Sequence, residues 1–235
     1  MTRFVRPMLL AAVLALLALS FPETAVSAAP VTPLEAIARL KAGNAAFVEK
    51  PEAALNITAD QRKALAKGQS PFASVLSCAD SRVPPEVVFH TGLGELFVVR
   101  AAGHVADHSV LASLEYAAEH LNVPLILVMG HEACGAVKAT IETPPGKSLG
   151  PNLDFLIKAI RPAVSAAAGA PESTRLRAGI LENVSDTIND LVEQSEILRE
   201  KFEAGEIGLV GGFYELSSGR VTFSDPIAAH GTILR

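Results

Sequence analysis

The sequence predicts an α/β fold: a central, mostly parallel sheet flanked by helices, with an N-terminal helical arm and a C-terminal hairpin. Three observations carry this expectation. Short apolar runs at Phe72 to Ser77, Glu95 to Arg100 and Pro124 to Met129 read as strands covered on both faces. A helical stretch from Asp107 to Leu121 separates the second run from the third, the alternation expected of parallel strands. Each run is followed by polar or glycine-containing residues, at the carboxyl ends where α/β folds place ligands.

The flanking elements follow in order. Thr32-Pro33-Leu34-Glu35 starts a helix: Thr32 caps it, Pro33 suits its first turn, and Glu35 reaches back to complete a capping box. Leu34, Ile37, Leu40, Asn44 and Phe47 then recur at helical spacing and give one mostly apolar face. A shorter helix starts at Thr58, with Gln61 three residues on, and stops at Gly68. Beyond the third strand, Pro151 to Ala204 reads as helix, broken around Gly169-Ala170-Pro171. Ile207 to Leu216 and Arg220 to Phe223 form a closing hairpin around Ser217-Ser218-Gly219.

Composition narrows the function classes. With 49% hydrophobic and 19% charged residues over 235 positions, the chain can bury a core and is not globally disordered. A net charge of -5 argues against a nucleic-acid partner, which selects for a basic patch. Two cysteines cannot build a disulfide scaffold.

The first residues read as an address. Arg3 and Arg6 precede an apolar run from Met8 to Leu19, and Val26-Ser27-Ala28 offers small residues for cleavage. The run falls short of the ~20 apolar residues that span a bilayer, and an uncleaved anchor helix is the alternative reading. Residues 1–28 are therefore expected to be a signal peptide and 29–235 one α/β domain. The mature protein is expected to be exported, periplasmic or secreted, and free of the membrane once the signal is removed.

Three residues stand out for chemistry: Cys78 after the first strand, and His131 and Cys134 after the third. In a parallel sheet those two strand ends can be neighbours. Two thiolates and an imidazole form a set suited to Zn²⁺, and three ligands leave one tetrahedral position open, the mark of a catalytic site. Spacing alone leaves other readings open: a disulfide, two buried free thiols, or a hydrogen-bonded core histidine. The neighbours add weight to the metal. Asp80 lies two residues from Cys78, and Arg82 two beyond that, so a guanidinium can hold the carboxylate ionised and oriented.

With these residues in view, the chain resembles a β-class carbonic anhydrase. The matching text is Cys78-Ala79-Asp80-Ser81-Arg82-Val83-Pro84-Pro85-Glu86, Gly94-Glu95-Leu96-Phe97-Val98-Val99-Arg100, Ser113-Leu114-Glu115-Tyr116-Ala117 and Gly130-His131-Glu132-Ala133-Cys134-Gly135. The likeness is strong from about Gly68 to Val137 and looser towards the C-terminal hairpin. It implies one Zn²⁺ per chain, held by Cys78, His131 and Cys134, and reversible hydration of CO2 to bicarbonate and a proton through a zinc-bound hydroxide. It implies that Asp80 and Arg82 position or deprotonate the zinc-bound water. It further implies that Gln69 reaches substrate from a neighbouring subunit, that Phe97, Ala102 and Tyr116 line a small apolar CO2 pocket, and that Gly135 offers a backbone N–H to substrate. A homodimer or homotetramer, with the N-terminal helices laid over the partner, belongs to the same implication.

Departures from the family pattern matter. Some members carry a Trp-Arg-Tyr bicarbonate pocket that switches the enzyme off, with the aspartate swinging onto zinc. This chain has no Trp, and Val75 stands at the matching place although Arg100 is present, so Asp80 is expected to stay paired with Arg82. His104 stands where Asn is usual, and Ala102 is smaller than the usual Val. His90, His104 and His108 are candidates for proton transfer, each set against a surface or structural role. Rival functions are a hydrolase of CS2 or COS on the same fold, a non-catalytic zinc-binding protein, and a thiol–disulfide protein. The last lacks a C-x-x-C motif. Gly92-Leu93-Gly94 lacks the third glycine of a dinucleotide fingerprint. Asn56-Ile57-Thr58 and Asn183-Val184-Ser185 fit the glycosylation acceptor pattern, which short sequences also meet by chance.

Overall fold

A computed structural model describes residues 30–55 and 57–225. The segment expected to be a signal peptide and the acceptor pattern at Asn56 lie outside the described residues.

The sheet is built as the apolar runs require. Its strands are β1 (Ala73–Ser77), β2 (Leu96–Arg100), β3 (Leu125–His131), β4 (Gly208–Tyr214) and β5 (Val221–Phe223), in the order β2-β1-β3-β4-β5. The first four are mutually parallel, and only β5 runs antiparallel, against β4. Every residue of β1, β3 and β4 is buried. The two-residue period of a strand explains why a continuous apolar run is needed. Val75, Leu125, Leu127 and Met129 pack on one face, with Ala36, Ile37 and Leu40 of helix α1 (Pro33–Glu49). Leu76, Ile126, Val128 and Leu209 pack on the other. There they meet Leu114 of α4 (His108–His120), Ile188 and Leu191 of α7 (Glu172–Gln194), and Leu198 of α8 (Glu196–Glu203).

Both capping boxes form. Thr32 and Glu35 exchange side-chain bonds at the start of α1, and Thr58 and Gln61 do so at α2 (Ala59–Leu65). The hairpin expected at the C-terminus is β4 and β5, and its first strand also extends the parallel sheet beside β3. The long helical region is α6 (Pro151–Ala166), a 3-10 turn over Ala167–Gly169, then α7 and α8. A further break falls at Ser195, whose hydroxyl accepts from Leu198 N and donates to Glu115 of α4. Sequence periodicity did not mark it.

Asn44 sits on the apolar face of α1 for a reason only the fold supplies. It is buried, its amide donates to the carbonyls of Val88 (3.1 Å) and Gly219 (2.8 Å), and its oxygen accepts from Val221 N (2.9 Å). It thus ties the arm to α3 (Pro85–Val88) and to the β4–β5 turn. Gly43 beside it permits the approach, since a Cβ there would lie 1.9 Å from the Phe89 carbonyl oxygen. Asn44→Leu leaves three buried backbone groups without partners, so a loss of about 2–4 kcal/mol in urea unfolding is expected.

Candidate metal centre

Sheet register brings the three sulfur and nitrogen donors together. Ser77, the last residue of β1, stands opposite Met129 of β3, so Cys78 and His131 leave the sheet side by side. His131 is the last residue of β3, paired with Tyr214, rather than a loop residue beyond it. The chain then turns through Ala133, in the left-handed region at φ 55°, and delivers Cys134 as the residue that opens helix α5 (Gly135–Glu142). The donor atoms of Cys78, His131 and Cys134 all lie within 4.8 Å of one another, and all three residues are buried. Both cysteines are free thiols.

The hydrogen bonds around this triangle suit a metal. His131 Nδ1 lies 2.8 Å from the Glu132 carbonyl oxygen, which only accepts, so the ring proton belongs on Nδ1. That leaves the Nε2 lone pair facing the two sulfurs, buried and without a partner. A buried acceptor left unpaired is costly, and a cation among two thiols satisfies it. The thiols are unequal. The hydrogen bond from Cys134, outweighing burial, pushes Cys78 well down, with His131 and the N–H groups of Asp80 and Gly103 adding to it. Cys134 is pushed up, first by that shared bond and then by burial, against a smaller pull from the Val137 and Ala136 N–H groups of α5.

Beside the triangle, Arg82 grips Asp80 from three directions. Arg82 Nε donates to Oδ1 (2.9 Å), Nη2 to Oδ2 (2.7 Å), and the Arg82 backbone N–H to Oδ1 (2.9 Å). The guanidinium holds the Asp80 carboxyl far below the usual carboxylate range, outweighing partial burial. Asp80 Oδ2 lies 3.9 Å from His131 Nε2, so the carboxylate borders the donor atoms without joining them. The expected Asp80–Arg82 pair is present.

Arg100, noted in the sequence only as the retained member of a Trp-Arg-Tyr pocket, has a role there that the sequence did not reveal. Its guanidinium donates to the Cys78 carbonyl at 3.0 Å and to the Asp80 carbonyl, so β2 holds the loop that carries both residues. The signal was available only through register, which sets Arg100 opposite Ser77. Gly103 was also missed; its N–H donates to Cys78 Sγ at 3.4 Å.

The remaining expected residues divide. Gly135 and Ala102, both exposed, are chain neighbours of residues that touch the centre. Phe97 is half-buried on β2, three residues before Arg100, or about 10 Å along the strand. Its ring meets that of Tyr116 at 6.3 Å, and Tyr116 is 49% exposed, so within one chain this apolar lining stays open. Gln69 is exposed before the start of β1, while Cys78 follows its end, a separation of about 17 Å along the strand. One chain does not bring Gln69 to the centre. Of the histidines, His104 is fully buried, His90 half-buried and His108 exposed. Asn183 is 2% exposed and hydrogen-bonded inside the protein, so its acceptor pattern has no accessible side chain behind it.

Comparison with known proteins agrees with this geometry. Residues 73–221 match the family model described as carbonic anhydrase. Carbonic anhydrase 2 of Mycobacterium tuberculosis is 38% identical over 201 residues, covering 85% of this chain and 96% of that one. The carbonic anhydrase of Mycolicibacterium smegmatis is 37% identical over 207 residues, covering 86% and 98%. Among solved structures, a β-carbonic anhydrase of Coccomyxa superposes with a TM-score of 0.67 at 25% identity, covering 86% of this chain and 90% of that one. The matched span contains both strand ends that carry the two thiols, the imidazole and the Asp80–Arg82 pair, and on these grounds the chain belongs to the β-class carbonic anhydrase family.

Proposed function

We propose that this carbonic anhydrase performs reversible hydration of CO2 with one Zn²⁺ per chain held by Cys78, His131 and Cys134. The observation that carries the reading is the Asp80 carboxylate, fixed by Arg82 beside three buried donors. A protein that merely stores zinc has no use for that pair. Zinc, when bound, acts as a Lewis acid that lowers the pKa of a coordinated water to about 7 and so supplies a hydroxide nucleophile near neutral pH.

The chain's own residues do the rest. Two thiolates offset the dication, so the centre can sit in an apolar surround. Asp80, ionised across the working range, accepts a hydrogen bond or a proton at Oδ2, and Arg82 keeps it from becoming a fourth donor. The apolar pair Phe97 and Tyr116, together with Ala102, gives CO2 a dry approach once a second chain covers it. Gln69 and the N–H of Gly135 orient the oxygens of bicarbonate, Gln69 from that second chain. A homodimer or homotetramer follows from this reading. It is supported by the open lining and by the distance of Gln69 from its own chain's centre. Residues 29–235 are one domain, exported after removal of residues 1–28; the charged n-region, apolar run and small cleavage residues support this.

Stopped-flow CO2 hydration by the zinc-loaded protein, from about pH 6.5 to about pH 9, tests the reading. Fast hydration that rises through neutrality is expected. Zinc-loaded, folded protein that hydrates no CO2 but hydrolyses COS or CS2 would overturn it. Metal removal gives a second check. With zinc chelated in air, dioxygen is expected to oxidise Cys78 and Cys134 to a disulfide, so thiol titration falls from two per chain towards none. Chelation under argon should leave both thiols titratable.

A further inference from the structure

Between β2 and α4 the chain makes a tight 3-10 turn, Ala102–His104, and this turn touches the centre through the Gly103 N–H on Cys78 Sγ. The turn is strained. Gly103 and His104 both take left-handed conformations, at φ 62° and 47°, and His104 has a Cβ to accommodate. A Cβ on Gly103 would stand 2.7 Å from Ile160 Cδ1 and 3.1 Å from the Ala136 Cβ, so the packing would have to shift to admit one, on top of the left-handed φ. Something must hold such a turn in place.

One side chain reaches it from 80 residues further along the chain. Asn183 of α7 places its amide nitrogen 2.8 Å from the Gly103 carbonyl oxygen and 2.9 Å from His104 Nε2. Donor logic fixes the arrangement. A carbonyl only accepts, so the Asn183 nitrogen, not its oxygen, faces Gly103. An amide NH2 carries two protons, so the same nitrogen also donates to His104 Nε2, and the ring proton is left on Nδ1. Burial favours this neutral ring, lowering the His104 pKa to about 4. A polar amide on the buried face of a long helix needs such a partner set, and the apolar neighbours Val184 and Ile188 do not supply one.

We propose that Asn183 is a positioning residue for the metal centre: it clamps the Gly103–His104 turn, which aims the Gly103 N–H at Cys78 Sγ and fixes that sulfur for the metal. The proposal rests on Cys78 being a zinc ligand. The clamp works at one remove from the ligand. It sets the direction of a hydrogen bond to sulfur, and so how firmly the sulfur holds its cation. It also assigns His104, which stands where the family usually has Asn, the part of a fixed acceptor rather than a proton carrier.

The test compares Asn183→Asp and Asn183→Leu with the full-length parent and with Ile188→Val. The aspartate keeps the shape but turns oxygen towards the Gly103 carbonyl; the leucine keeps bulk without donors. Ile188→Val loosens the same helix away from the turn. Zinc affinity is measured by competition with a chromogenic chelator. The thiolate-to-metal charge-transfer band is recorded on Co²⁺-substituted protein. Both Asn183 variants are expected to bind zinc about tenfold more weakly and to shift the Co²⁺ band, with neither change in Ile188→Val. Folded Asn183 variants with parental zinc affinity and a superimposable Co²⁺ spectrum would overturn the clamp. So would an equal loss of affinity in Ile188→Val, which would mark a general loosening. Should the Asn183 variants not fold, His104→Leu removes one of the two anchors, and a smaller change of the same sign is expected. An unchanged affinity there would also overturn the clamp. A parent that binds no zinc at all would defeat the ligand assignment itself, and that outcome is read separately from any variant.

Discussion

Cys134→Ser is expected to strip the protein of zinc during dialysis against a chelator and to abolish CO2 hydration, with the fold retained. Loss of a partner that merely supports a ligand costs about 10–100-fold in metal affinity. Loss of a ligand should cost more, because it takes away a charged sulfur that zinc prefers to a neutral hydroxyl. The position makes the loss harder to repair. Cys134 is fully buried and fixed by the start of α5, and the left-handed Ala133 leaves the backbone little room to bring another donor in. The Asp80 carboxylate borders the triangle, but Arg82 already occupies both of its oxygens. Zinc content per chain after dialysis, circular dichroism and hydration rate are the three readings. A variant that keeps a full zinc and most of its activity would show that Cys134 is not a ligand.

What the sequence made legible was whatever is local. The capping boxes at Thr32 and Thr58 each lie within four residues, and both form. The apolar runs mark β1 and β3 because burial on both faces removes any alternation. Cys78, Asp80, Arg82, His131 and Cys134 were legible because their loops sit at the ends of those runs, and the sheet register then brings them together. Residues whose purpose depends on distant chain were not. Asn44 reads as a polar blemish on an apolar helix face until Val88, Gly219 and Val221 arrive around it. Asn183 reads as a glycosylation acceptor until burial removes its access and the Gly103 turn gives it a partner. The break at Ser195 has no Gly or Pro to announce it; its hydroxyl bridges to Glu115, 80 residues away. Gln69 lies further out still, since one chain leaves it at the wrong end of β1.

Asp80→Asn is expected to keep its zinc and to lose about 10²–10⁴-fold in kcat, the range for a positioned acid or base. The substitution preserves size but exchanges one carboxylate oxygen for an NH2 group, so the residue can no longer accept from Arg82 at both atoms or take a proton. Stability should change little. Arg82 is half exposed, and such pairs are screened by solvent. The sign of its pH dependence is set by the direction of the shift. The folded-state pKa of Asp80 is depressed, so its stabilising share is full above the ordinary carboxylate range and is lost progressively as pH falls from that range down through the lowered value in strong acid. Asp80 is therefore ionised throughout the working range, and the rise of hydration through neutrality is not its titration. This separates two contributions in one experiment. In Asp80→Asn the pH profile should remain sigmoid through neutrality while its plateau drops. If the sigmoid itself vanished with zinc still bound, Asp80 would be the titrating group, and the Arg82 grip would have been misread as holding it ionised.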